Sequence, residues 1–293
     1  MAEAFIPVDP LNPGQVFACL GFVEAAQSLL GGAEGAFDWS QSNETRFHLR
    51  ANGTHSPVEY VLDFLDRAEA VAEAVTGSPN IGAWKIAWGK APRPIAADRG
   101  FPYPDPESPA TLPCVLVDDD RRITIDHWGD DTVRDNVKFW AGAGGYPGAA
   151  LARDALALVR GHVKAVAKDP FSFSTAQSSS FRLDWRRDYV PIDAGFSLNK
   201  HADIETRGYP LVELLAAVGL SNARPRRATK LDYRYAIAGR HGDGDTLWLP
   251  PMFLRAALGV APLPFPMRRY RLLLAWPGQE NQARAITTVT EET

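Results

Sequence analysis

Between Thr76 and Pro113 prolines fall at positions 79, 92, 94, 102, 104, 106, 109 and 113. No long helix or strand can run through that spacing, because each proline fixes its own φ and lacks a backbone donor. The stretch is therefore a solvent-facing loop or a strap laid over another surface, and Trp84 and Trp88 argue that part of it is packed. The chain must build its elements on either side. With 293 residues it has enough length to bury a large core without disulfide staples or an obligatory metal.

Before the strap the spacing predicts helix, hairpin, helix. Asn12 can cap a helix that opens on Pro13, carries Val16, Leu20, Val23, Ala26 and Leu30 at helical period, and stops at Gly31-Gly32. Thr45 to Ala51 alternates Phe47 and Leu49 with Arg46, His48 and Arg50, and pairs as a hairpin with Ala36 to Trp39 across the turn at 41–44. Ser56 and Glu59 form a capping box at the head of a second helix whose apolar stripe is Val58, Val61, Leu62, Leu65, Ala68 and Ala72.

After the strap, strands are expected at Cys114 to Val117 and Arg122 to Asp126, joined by the acidic turn 118–120. A helix is expected over about 147–168, then a serine-rich loop to Ser180. Further strands fall at Phe181 to Trp185, Leu231 to Ala238, Arg268 to Ala275 and Ala283 to Val289, with a helix over about 210–218. This irregular order fits an α+β fold, a mixed and largely antiparallel sheet with packed helices, rather than a repeating βα unit. There is no Rossmann unit, because no GxGxxG follows a strand, and no zinc ribbon, because Cys19 and Cys114 stand far apart and outside any CxxC. Free cysteines, the absence of a leader-like start at Met1 to Asp9 and the lack of an apolar run near 18 residues predict a cytoplasmic protein with no membrane contact.

Charge divides the chain unevenly. Residues 1–150 hold 11 Lys and Arg against 21 Asp and Glu, leaving 20 against 14 for residues 151–293 from totals of 31 and 35. We read an acidic α+β region over 1–150 and a basic one over 151–293, as two units or one continuous domain. The basic region can face a polyanion or bind the acidic region within the molecule.

Two kinds of residue could carry chemistry. Asp126, His127 and Asp130, near Asp118 to Asp120, offer oxygen and imidazole ligands for a divalent ion, the basis of a metal-dependent nuclease reading. Against it, adjacent aspartates on a strand point to opposite faces, so no cofactor or metal is expected and a structural strand end is the simpler account. The glycines at 142, 144 and 145 lack the Lys-Ser/Thr of a phosphate loop, and no GxSxG, HExxH or kinase signature occurs. More informative are basic clusters interleaved with aromatics: Arg182, Arg186 and Arg187 around Trp185; Arg224, Arg226, Arg227 and Lys230; Arg268, Arg269 and Arg271 around Tyr270. Guanidinium forks bind phosphate bidentately and aromatic rings can stack on bases, so these clusters predict a nucleic-acid surface without a catalytic centre. Gln177, Ser179, Asn199 and Lys200 add short polar groups able to touch sugar, phosphate or a groove.

The run from Pro7 to Phe22 (PVDPLNPGQVFACLGF), followed by Gly35 to Trp39, resembles the opening of the large-subunit-like family of type I-U (I-G) CRISPR systems. His127-Trp128, Lys138 to Gly142, Ile192 to Ser197, and Val212 to Leu220 with Ala223 to Pro225 are similar in type and order. The resemblance implies a noncatalytic subunit of an RNA-guided surveillance complex, a small variant of the Cascade large subunit active in antiviral defence. Its implied partners are guide RNA, target double-stranded DNA, the CRISPR backbone and RNA-processing subunits, and a helicase-nuclease. Its implied tasks are recognition of the motif flanking the target, duplex opening and helicase-nuclease recruitment. A purely architectural subunit is the remaining alternative.

Overall fold

In the computed structural model the described residues are 1–41, 44–96, 106, 108–128, 146–187, 205–239, 246–275 and 285–292. The fold is α+β, with six α-helices and mostly antiparallel sheets among these residues. Two helices form its centre. In α1 (Pro13–Leu29) every residue from Pro13 to Ala26 is buried, and in α5 (Pro210–Leu220) every residue is. A helix apolar all round can only be covered on all sides, which explains why neither has a solvent stripe. The two pack backbone to backbone, since a Cβ on Gly21 would collide with the Leu215 carbonyl and one on Gly219 with the Phe17 carbonyl. Alanine at either position would force the helices apart.

Local signals set the entry to each element. The Asn12 side chain accepts the Gly14 N–H at 3.1 Å, and Ser56 Oγ accepts the Glu59 N–H at 3.2 Å at the head of α2 (Pro57–Arg67). Helix α2 then ends where Ala68 turns extended, so the expected stripe residue Ala72 lies instead in strand β4 (Glu69–Val75). The expected hairpin is present as β2 (Glu34–Gln41) and β3 (Glu44–Ala51), and β1 (Ala2–Val8) pairs on the other side of β3. On its outward face Arg46, His48 and Arg50 meet Glu44, Glu3 and Glu34. That basic face is neutralised in place.

The proline-rich strap is partly packed, with α3 (Pro79–Ala83) and β5 (Arg93–Ile95), which pairs parallel to β4. The sheet continues through β6 (Cys114–Asp118) and β7 (Arg121–Ile125) in the order β5-β4-β6-β7. Helix α4 (Gly148–Val159) is shorter than expected. It stops because Gly161 takes a left-handed φ of 78° and donates its N–H to Asp66 Oδ1 at 2.6 Å, while Arg160 binds the Asp66 and Ala68 carbonyls. A short ladder joins β8 (Thr175–Ala176) to β9 (Arg207–Gly208).

The last sheet runs β10-β11-β12-β13, from β10 (Arg226–Thr229) through β11 (Asp232–Ala238) and β12 (Met267–Ala275) to β13 (Ala285–Glu292). Helix α6 (Pro251–Leu258) packs against β11. One contiguous core joins residues from Ile6 to Val289, so the acidic and basic regions share it. The Gly35–Leu249 bridge, the Trp39 Nε1–H bond to the Ala238 carbonyl and the bidentate Arg255–Glu24 pair at 2.6 Å also cross from one region to the other. Among the described residues no helix is long and apolar enough to cross a membrane.

Candidate nucleic-acid interface

The arginine cluster at 182–187 is not on a strand. Arg182 adopts a left-handed φ of 64°, and the N–H groups of Leu183 and Asp184 donate to Glu213 Oε1 at 3.0 and 3.1 Å instead of to a strand neighbour. A fully buried carboxylate on α5 thus replaces the expected ladder. Asp184, also fully buried, accepts from Asn12 Nδ2 at 3.0 Å and from the Arg186 guanidinium through both oxygens at 3.0 and 2.6 Å. Arg186 stacks on the Tyr209 ring at 3.6 Å, and Arg187 donates to the carbonyls of Gln177 and Ser178. These two arginines bind this chain's own groups. Trp185, which we expected beside them as a base platform, packs against the core. Burial pushes the Glu213 carboxyl up to about 7, opposed by the two backbone donors and the nearby Arg187 charge.

The motif-reading candidates divide in the same way. Gln177 is 3% exposed and its backbone N–H donates to Thr206, so its side chain does not face a groove. Ser179 is half-buried. Asn199 and Lys200 lie outside the described residues, as do Asp130, the 141–145 glycines and 192–197. For the nuclease reading, His127 is 2% exposed and wedged between Trp128 and Phe181. Among the described residues no three His, Cys, Asp or Glu side chains converge as a metal site.

The outer face of β10–β13 is different. Register places Arg226 opposite Arg234, Arg234 opposite Arg271, and Arg271 opposite Thr290, so three arginines form one row across three strands. Arg269 stands one pleat away on the same face, opposite Ala236 and Glu292. Like charges directly opposite one another are destabilising, and this row places them so twice. Two carboxylates offset part of that repulsion: Asp232 accepts from Arg271 at 2.8 Å and Arg234 at 3.3 Å, and Glu292 accepts from Arg234 at 2.9 Å. The Arg271 bond holds the Asp232 carboxyl below its ordinary range. The guanidinium groups of Arg226 and Arg269 form no ion pair or hydrogen bond among the described residues, and both side chains are exposed. Among the described residues four guanidiniums therefore face two carboxylates.

The aromatics of this sheet point the other way. Tyr270 is fully buried and stacks on Tyr235 at 5.1 Å, so it is no platform for an external base. Arg268 shares its side of the strand and pairs bidentately with Glu291 at 2.6 and 2.5 Å. Arg227 and Lys230 lie at the β10 end of the sheet, and Arg224 donates to the His127 carbonyl at 2.5 Å. Arg234, on the expected strand β11, stands alone between Tyr233 and Tyr235 and outside any basic cluster, so sequence reasoning does not single it out; the Asp232-Arg234 alternation is its available signal. The face can hold phosphates through forks, with little provision for reading bases. No protein-family model, curated protein or solved structure matches the chain.

Proposed function

We propose that this chain is a noncatalytic, large-subunit-like member of an RNA-guided type I CRISPR surveillance complex that holds a sugar-phosphate backbone on the outer face of β10–β13. The carrying observation is the Arg226–Arg234–Arg271 row with Arg269 beside it, which has more guanidiniums than carboxylates. Neighbouring strands lie about 4.8 Å apart, so the row spans roughly 10 Å and suits a run of phosphates better than a single one. The motif resemblance in Pro7 to Phe22 and Val212 to Leu220 supplies the family part of the reading.

On this reading sequence specificity comes from guide pairing, and the arginine face contributes affinity that falls with salt. Flanking-motif recognition, duplex opening and helicase-nuclease recruitment would use surfaces shared with partner subunits in the cytoplasm. The test is to purify the complex from cells expressing this chain with the neighbouring CRISPR subunits and guide RNA, then crosslink it to target DNA. Guide RNA should copurify, and crosslinked peptides should cover 226–234 and 267–275. Partner subunits without nucleic-acid crosslinks to this chain would leave an architectural role, and absence of partners and RNA would overturn the proposal.

A further inference from the structure

A cavity of about 500 Å³ opens between the β1–α1 connection, the start of β3, the turn at 170–172 and the ends of β12 and β13. Two arginines line it, and both are already neutralised: Arg186 by both oxygens of Asp184, Arg268 by both oxygens of Glu291. An anion would have to displace these bidentate partners, one of which is fully buried. Two further lining carboxylates have no cation among the described residues. Among the described residues the Asp9 carboxylate accepts only the Leu11 N–H, at 2.9 Å, and the Asp169 carboxylate has no partner.

A second observation singles out the same space. Tyr270 lines the cavity, is fully buried, and its hydroxyl has no hydrogen-bond partner among the described residues. Its ring lies nearly parallel to that of Tyr235, whose hydroxyl donates to the Pro10 carbonyl at 2.8 Å, and burial together with the nearby Asp9 charge pushes both phenols upward, so both lie close to Asp9. A buried hydroxyl without a partner carries a desolvation cost that a ligand donor would recover. Pro7, Pro10, Leu11 and Phe171 supply apolar wall beside these acceptors.

We infer that this cavity binds an organic cation, a guanidinium or ammonium group on an aliphatic stem, with Asp9 and Asp169 as counter-charges and the Tyr270 hydroxyl as a hydrogen-bond acceptor. The inference does not depend on the arginine face or on the proposed function. Isothermal titration of the full chain with agmatine, with N-acetyl-arginine amide and with the neutral analogue butylurea tests it. Saturable binding of either cation without butylurea binding is expected. Tighter agmatine binding indicates a free small amine, and tighter binding of the amide indicates the arginine side chain of a protein. Asp9→Asn and Asp169→Asn should each weaken the cation about tenfold, and Tyr270→Phe, which keeps the ring, should weaken it by a similar or smaller factor. No cation binding at millimolar concentration, equal binding of butylurea, or unchanged affinity in all three folded variants would overturn the assignment.

Discussion

Segment 182–187 and the outer face of β10–β13 are both rich in arginine, yet they use it oppositely. In the first, Arg186 lies on Asp184 and Tyr209, and Arg187 is 8% exposed against the carbonyls of its own loop. In the second, Arg226 and Arg269 are exposed without partners among the described residues, and Arg234 and Arg271 share Asp232. What separates them is the counter-charge. Asp184 stands within the first segment, held by the Asn12 cap of α1, and α5 brings Glu213 beneath it, whereas the sheet face sets guanidiniums opposite guanidiniums. Arginine can serve as fold cement or as external anion receptor, and the local ratio of carboxylates decides which.

The largest expected effect lies on the first side of that contrast. Asp184→Ala leaves the Arg186 fork and the Asn12 amide without their buried acceptor and should destabilise the chain by about 3–5 kcal/mol in urea unfolding. A loss below about 1 kcal/mol would place this segment with the sheet face. Glu213 gives the next effect. Its carboxyl is raised to about 7 in the fold against about 4.5 in the unfolded chain, so the native state holds a proton that the unfolded state releases. Stability is therefore full below about pH 4.5 and falls as pH rises toward 7, by about 3 kcal/mol at one pKa unit per 1.36 kcal/mol. Glu213→Gln should flatten that dependence; an unchanged pH profile would remove Glu213 as its source. The smallest expected effect is on the sheet: Arg226→Ala with Arg269→Ala relieves like-charge crowding and should change stability by no more than about 0.5 kcal/mol.

The elements with strong local signals were legible in the sequence. The Asn12 and Ser56 caps, the β2–β3 hairpin, α5 and strands β6, β7, β11, β12 and β13 all follow from spacing and capping chemistry. The misses share a cause in tertiary contacts. The segment 181–185 alternates like a strand, but Glu213, thirty residues on, takes its N–H groups. The helix after Pro147 has apolar residues to continue, but Gly161 is captured by Asp66. Strand β10 has exposed residues throughout and exists only through pairing with β11. For the site, the clusters at 226–227 and 269–271 were visible, but no sequence pattern could show which arginines would meet a carboxylate.

The most direct measurement is the salt dependence of nucleic-acid binding by the assembled complex. Arg226→Ala with Arg269→Ala should weaken binding across sequences alike and reduce the slope of log K against log salt by about 1.4 to 1.8, two contacts at about 0.7 to 0.9 each. Arg186→Ala should leave that slope unchanged in folded protein. An unaltered slope in the double variant, or an equal drop in Arg186→Ala, would contradict the assignment of phosphate binding to the sheet face.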